Sequence, residues 1–250
     1  MLSLSIVSHG QSELVRLLLE DLCACLSPGD EVLLTLNVSE PFAPSRYPYE
    51  LQILKNAIPK GFAANHNAAF RQARGELFCV LNPDIRIAAN PFPALRACLD
   101  ADPQVAACAP LIVSPRGTIE DSIRRLPTPS VILKKLIGAA GKPDYDLRGP
   151  VIYPDWIAGM FIVFRREAFA AAGGFDERYF LYYEDVDLGT RLRLAGWRLA
   201  ACPPARAIHD ARRQSRRSLR YLRWHASSML RFFCSPAYRH ARRAATRPAR

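Results

Sequence analysis

Short apolar runs alternate along the chain with stretches whose apolar positions recur every three or four residues. Leu2–Val7, Glu31–Leu36, Leu51–Leu54, Leu77–Leu81 and Val105–Val113 are the runs, and they read as strands. Leu14, Leu17, Leu18, Leu22 and Leu26 make a helical stripe from Gln11 onward, stopped by Ser27-Pro28-Gly29. A second helix opens at Gly61-Phe62, passes through Ala64, Ala68 and Ala73, and ends at Arg74-Gly75; a third spans Pro91–Leu99. Asn37–Tyr49 is polar and Pro-rich, a loop. Strands alternating with helices predict an α/β fold with a central, mostly parallel sheet flanked by helices. In such sheets ligands sit beyond the carboxyl ends of the strands. Ser8-His9, Asn37 and Asn82 occupy those ends.

From Ser114 to Tyr153 the periodicity decays, and Pro, Gly and charges become frequent. Leu133, Leu136 and Ile137 fit a short amphipathic helix inside this excursion. Trp156–Phe164 reads as one apolar strand with Gly159 in its interior, a position that marks close approach of another group. Glu167–Ala172 is a short helix. A further helix starts at Glu184 or Asp185, carries Leu188, Leu192 and Ala195, and stops at Gly196. Arg198–Pro203 is another strand. Ser215–Cys234 spaces Leu219, Leu222, Ala226, Met229, Leu230 and Phe233 as one helical face, with Arg216, Arg217, Arg220, Arg223 and Arg231 largely between them.

The chain has 250 residues, half of them hydrophobic, enough for one sizeable core. The net charge of +11 belongs to the end of the chain: thirteen of the 34 basic residues and one of the 23 acidic residues lie from Ala205 onward. The body is therefore near neutral. A division follows, with one α/β domain over residues 1–210 and a basic amphipathic helical extension over 211–250. Such an extension suits an anionic membrane surface, and it equally suits a helix packed on the domain with a solvated Arg face. Nucleic acid is the least favoured partner, because no aromatic–basic platform accompanies the charge. Seven scattered Cys without a CxxC pair predict reduced thiols and a cytoplasmic location. The start of the chain lacks the basic segment and cleavage site of a secretion signal, and no apolar run approaches a membrane span.

Candidate chemistry concentrates in Gly173–Leu188, where Asp176, Glu177, Glu184, Asp185 and Asp187 are interleaved with Phe175, Tyr179, Phe180, Tyr182 and Tyr183. Asp185 falls in the first turn of its helix, where backbone N–H groups favour an ionised carboxylate. Beside aromatic walls it is a candidate general base; the same spacing also fits a plain helix start. Asn82-Pro83-Asp84 follows a strand directly. Pro83 favours extension, so Asn82 and Asp84 share a face suited to Mg²⁺ or Mn²⁺. As a lone tripeptide it is also a common turn. His209 follows a strand and is a candidate metal ligand, or a structural histidine.

Taken in order, Gly61-Phe62 with Asn67, Leu81-Asn82-Pro83-Asp84, Trp156 with Gly159, Gly174-Phe175-Asp176-Glu177, Phe180-Leu181-Tyr182, Glu184-Asp185-Val186-Asp187-Leu188, Arg191, Gly196-Trp197 and His209 resemble the family 2 glycosyltransferases, particularly their rhamnosyltransferase-like branch. The resemblance covers about the first 210 residues. It implies a GT-A-type nucleotide-diphospho-sugar transferase fold. It also implies inverting, metal-dependent transfer of a sugar, rhamnose among the options, to a glycan or lipid-linked acceptor in surface polysaccharide or O-antigen assembly. Asp185 matches the general base, Asp84 the metal-binding acid and His209 a further metal contact. Ser8, His9, Asn37, Gly61, Asn67, Asn82 and Asp84 fall on the donor side; Trp156, Gly159, Glu184 and Arg191 fall on the substrate side. A lipid-linked acceptor implies a peripheral position at the inner face of the cytoplasmic membrane.

The chain departs from the family at His9-Gly10, at Leu36, where an Asp is usual, and at Pro59, where an Asn is common. All three lie on the nucleobase and ribose side. A second reading is therefore a relative that binds nucleotide-sugar, glycan or a partner enzyme without turnover.

Overall fold

The computed structural model describes residues 1–136, 144–210 and 219–245. An eight-stranded sheet forms its centre, in the order β3-β2-β1-β4-β9-β6-β10-β5. The strands are β1 (Leu2–Ser8), β2 (Glu31–Leu36), β3 (Glu50–Lys55), β4 (Leu77–Leu81), β5 (Ile85–Arg86), β6 (Val105–Val113), β9 (Phe161–Arg165) and β10 (Arg198–His209). A separate ribbon pairs β7 (Ile123–Arg124) with β8 (Trp156–Ile157). Helices α1 (Ser12–Leu22), α2 (Phe62–Gln72), α3 (Phe92–Ala101), α4 (Pro129–Leu136), α5 (Arg166–Ala171) and α6 (Glu184–Leu194) connect them, and α7 (Leu219–Phe233) and α8 (Pro236–Ala245) follow.

β1, β2, β4 and β6 are buried along nearly their whole length, the reason each reads as a continuous apolar run. Alternate residues of β1 face different cores. Leu2, Leu4 and Ile6 pack with Val15, Leu18 and Leu22 of α1 and with Leu95 and Leu99 of α3. On the other face Ser5 donates toward or accepts from His66 Nδ1 at 2.8 Å, and Ser3 Oγ reaches Glu31 at 2.5 Å. That second face is capped by an aromatic group, Phe78, Phe164, Phe169 and Phe175, together with Leu188 and Leu192 of α6.

Six strands run in one direction. β9 is antiparallel to β4 and β6, and β5 is antiparallel to β10. The single strand expected over Trp156–Phe164 is instead two, broken at Gly159-Met160. A tight turn there, Met160 N–H to Ala158 O at 2.8 Å, sends β8 to the small ribbon and β9 into the main sheet. β10 is longer than the expected Arg198–Pro203. Its pairing with β6 is irregular between Cys202 and Arg206, where Pro203 and Pro204 have no N–H to donate, and then resumes to His209. Of the expected helix around Leu133, α4 covers the part to Leu136, and Ile137 lies outside the described residues. The helix expected from Ser215 is described from Leu219.

The C-terminal helices pack on the domain. Phe232 and Tyr238 share a cluster with Trp156, Tyr179, Tyr183 and Val186, and Ser228 Oγ donates to Leu181 O at 2.9 Å.

Candidate active site

β4 ends at Leu81, and the turn Asn82–Ile85 leads straight into β5. Pairing of Ile85 with His209 lays β5 along the end of β10. Asp210 N–H donates to Asp84 O at 2.9 Å, so the backbone fixes the two segments side by side. The side chains meet: Asp84 Oδ2 lies 3.3 Å from His209 Nε2. His209 Nδ1 lies 2.7 Å from Glu120 Oε2. Burial alone would lower the His209 pKa, but the carboxylates of Asp84 and Glu120 outweigh it and raise it to about 9. Asp84 Oδ1 is buried and has no hydrogen-bond partner. An orphaned carboxylate oxygen beside an imidazole fits a hard divalent cation such as Mg²⁺ or Mn²⁺. Among the described residues no three His, Cys, Asp or Glu side chains surround one point. Asp84 and His209 would thus leave most coordination positions to water and a substrate's phosphate oxygens.

Asp185 stands on the other side of the Gly159-Met160 turn. Its Oδ2 accepts from Gly159 N–H at 2.9 Å and its Oδ1 from Val186 N–H at 2.8 Å. A side chain at Gly159 would put its Cβ 3.1 Å from Phe62 Cζ and 3.7 Å from Asp185 Cβ. The glycine expected to mark a close approach does so, and the approaching groups are Phe62 and Asp185. Burial raises the Asp185 pKa; the N–H groups of Gly159 and Val186, and the charge of Arg124, act against it. Glu184 is only 4% exposed, its Oε2 has no partner, and burial followed by the Asp185 charge pushes it well above the carboxylate range. Of the two, Asp185 has side-chain oxygens held by the N–H groups of Gly159 and Val186, which favour its ionised form.

The same turn joins both halves. Asn82 N–H donates to Met160 O at 2.8 Å, one residue from the N–H that holds Asp185. Trp156, three residues before Gly159, is buried in the cluster with Tyr179, Tyr183 and Val186. Its Nε1–H donates to Arg125 O at 3.0 Å, and the Arg124 guanidinium lies 5.6 Å from its ring centre.

Of the residues expected on the donor side, Ser8, His9 and Asn37 gather at the ends of β1 and β2. His9 is exposed, with Nδ1 3.2 Å from Asn37 Nδ2. Asn37 also accepts from Lys60 N–H and donates to Lys60 O, at 2.8 and 2.9 Å. Ser8 Oγ accepts from Gln11 N–H at 3.2 Å. Leu36 is buried and contributes no polar group to this rim.

Gly61, Asn67 and Arg191 are committed to packing. A Cβ on Gly61 would lie 2.5 Å from Phe180 O. Asn67 accepts from Phe175 N–H and donates to Phe175 O and Glu177. Arg191 donates to Asp187 at 2.6 Å and to Gly174 O at 2.8 Å. The side chains of Asn67 and Arg191 hold the 172–177 turn against α2 and α6, and the turn in turn presents the start of α6. Glu120 and Arg124 had no signal in the sequence, since both lie in the stretch without periodicity.

Left-handed backbone precedes Asp185. Tyr182 and Tyr183 have φ of 70° and 66°, unusual for bulky residues. α7 and α8 cover this turn, with Phe232 5.6 Å and Phe233 6.4 Å from the Tyr183 ring.

No family model matches the chain. Among curated proteins it is 34% identical over 142 residues to the N-acetylglucosaminyl-diphospho-decaprenol L-rhamnosyltransferase of Mycobacterium tuberculosis, covering 52% of this chain and 45% of that protein. It thus spans less than half of that relative's length. It is 28% identical over 251 residues to the rhamnosyltransferase WbbL of Escherichia coli, covering 93% of this chain and 92% of that one. Among solved structures, the mannosyltransferase PcManGT of Pyrobaculum calidifontis, in complex with GDP-Man and Mn²⁺, superimposes with a TM-score of 0.62 over 99% of this chain and 76% of its own, at 16% identity. The fold is accordingly that of the GT-A glycosyltransferases.

Proposed function

We propose that the chain, similar to rhamnosyltransferases of family 2 type, moves a sugar, rhamnose by analogy, from a nucleotide-diphosphate donor to a hydroxyl of a glycan or lipid-linked acceptor. The process served is surface polysaccharide or O-antigen assembly. The observation that carries this reading is the Gly159-Met160 turn, which hydrogen-bonds Asp185 through one residue and the Asn82–Asp84 strand end through the next.

Asp185 takes the proton of the attacking hydroxyl, its basicity raised by burial while two N–H groups keep it oriented. Attack opposite the leaving group inverts the anomeric centre, and no covalent intermediate on the protein is required. Asp84 and His209 would hold a divalent cation, which when bound neutralises the charge building on the departing nucleotide diphosphate. Ser8, His9 and Asn37 border the nucleotide. Trp156 supplies an apolar wall for a sugar ring.

The test is a panel of dTDP-, UDP- and GDP-sugars with Mn²⁺, with the product anomer read by NMR. Asp185→Asn is expected to slow transfer by about 10²–10⁴-fold; an unchanged rate would remove Asp185 from its role. The buried Leu36 on the donor side favours one second reading, a relative that binds without turnover. Donor binding with no transfer or hydrolysis across the panel would support it.

α7 supplies a position for this reaction. Its Ser228 and Phe232 face is buried, while Leu219, Leu222 and Leu230 on the opposite face are 79%, 64% and 65% exposed, with Arg220, Arg223 and Arg231 beside them. Among the described residues no helix is long and apolar enough to cross a membrane. An apolar stripe bordered by arginines complements an anionic bilayer, so the proposed docking surface is the inner face of the cytoplasmic membrane. The full chain is expected to sediment with phosphatidylglycerol vesicles and not with phosphatidylcholine vesicles, and Leu222→Glu with Leu230→Glu to weaken this. Dimerisation lost in the same variant, without vesicle binding, would assign the stripe to a second copy.

A further inference from the structure

Glu120 lies outside every motif in the chain, yet the fold carries it to the edge of the candidate metal site. After β6 the chain turns at Ser114–Thr118, with Gly117 N–H donating to Ser114 O at 2.8 Å and Ser114 N–H to Thr118 O at 2.7 Å. It returns beside the end of its own strand, bridging Ile119 to Val113. Glu120 N–H closes the return by donating to Ile112 O at 2.8 Å. Val113 is also the partner of Ile208 in β10. The hairpin therefore delivers Glu120 beside His209, the next residue in that strand.

The imidazole sits between two carboxylates, one on each nitrogen: Glu120 Oε2 at 2.7 Å from Nδ1 and Asp84 Oδ2 at 3.3 Å from Nε2. An imidazole that accepts a metal on one nitrogen needs the other nitrogen's proton held, and a carboxylate is a frequent holder. We propose that Glu120 is the positioning residue for His209: it accepts the Nδ1–H and fixes the ring so that Nε2 and the unpartnered Asp84 Oδ1 share one divalent cation. Glu120 itself stays off the cation, because its oxygen is on the nitrogen remote from Asp84. This assignment rests on the metal reading of Asp84 and His209.

The test titrates Mn²⁺ alone into the full chain and follows free Mn²⁺ by electron paramagnetic resonance. Wild type should bind one ion and Asp84→Asn should lose it. Glu120→Ala should weaken binding by about 10–100-fold. Glu120→Gln, whose amide oxygen accepts the same N–H, should stay close to wild type. Circular dichroism checks each fold. Should Glu120→Ala fail to fold, Glu120→Asp, which withdraws the carboxylate by one methylene, must still weaken binding more than Glu120→Gln does. Wild-type affinity in both Ala and Asp variants overturns the assignment and leaves the metal reading intact. Equal loss in the Gln and Ala variants also overturns it, making Glu120 a direct ligand. No binding by wild type, or undiminished binding by Asp84→Asn, overturns the metal reading and the assignment with it.

Discussion

Replacing Phe232 by Ala removes a fully buried ring from the contact between α7 and the turn that carries Asp185. The ring lies 5.6 Å from Tyr183 and 5.3 Å from Tyr238, centre to centre. Truncating a buried Phe to Ala costs about 3–5 kcal/mol. The turn beneath stores strain: two consecutive tyrosines with left-handed φ hold roughly 1–3 kcal/mol each. The lost packing is as large as the stored strain, so the turn is expected to relax rather than merely loosen. Asp185 lies in the first turn of α6, two residues beyond Tyr183, and a 1 Å misplacement of a reacting group costs on the order of 10²-fold in rate. Phe232→Ala should therefore lower sugar transfer by about that factor at temperatures where the variant remains folded by circular dichroism. The control is Leu95→Ala, a buried truncation in the core between α3 and the sheet, remote from this turn. It should destabilise by about 2–5 kcal/mol and keep its turnover number. Equal activities of the two folded variants would show that α7 does not hold the turn, and would refute the reasoning.

The rate of transfer should fall on the acid side, because the proposed base Asp185 would act as a carboxylate and burial raises its pKa. Measured at saturating metal, the limb should lie above the ordinary aspartate value of about 3.9, and a limb at or below it would count against burial of the base. Acid should also weaken the fold through His66, buried against Ser5 and lowered to about 3. The unfolded chain binds the His66 proton below about 6.5 while the folded chain does not, so stability present above that pH is lost progressively as pH falls toward 3. Urea midpoints at pH 7 and pH 4.5 read this, and His66→Gln should flatten the difference. Gly61→Ala should unfold at lower urea than wild type, since its Cβ would meet backbone at Phe180 O 2.5 Å away and neither segment can yield cheaply.

Strands buried on both faces were legible because their residues need no alternation. Glu31–Leu36, Leu77–Leu81 and Val105–Val113 occur with the bounds their composition implies. The helix at Glu184 and its stop at Gly196, where φ is 90°, followed from local chemistry alone. The break at Gly159-Met160 was not legible. Trp156–Phe164 has the apolarity of one strand, and only the competition between the β7 ribbon and the main sheet for its two halves divides it. β5 and β7 are two residues each, too short to carry a period, and exist because partners reach them from Ile208–His209 and Trp156–Ile157.

The two acids differ in the same way. Asp185 stood out as a candidate because its surroundings are sequence-local: the helix start, the aromatic residues before it and Val186 N–H after it lie within one stretch. Asp84 was ambiguous, because a strand followed by Asn-Pro-Asp is also an ordinary turn, and it does form one, with Ile85 N–H donating to Asn82 O at 3.2 Å. What separates the two readings is non-local. His209 and Glu120 arrive from 125 and 36 residues further along the chain, by way of β10 and the hairpin after β6. The turn and the ligand readings are then not rivals. The turn supplies the geometry that aims Asp84 at His209, and the unpartnered Oδ1 is what a turn alone would not leave buried.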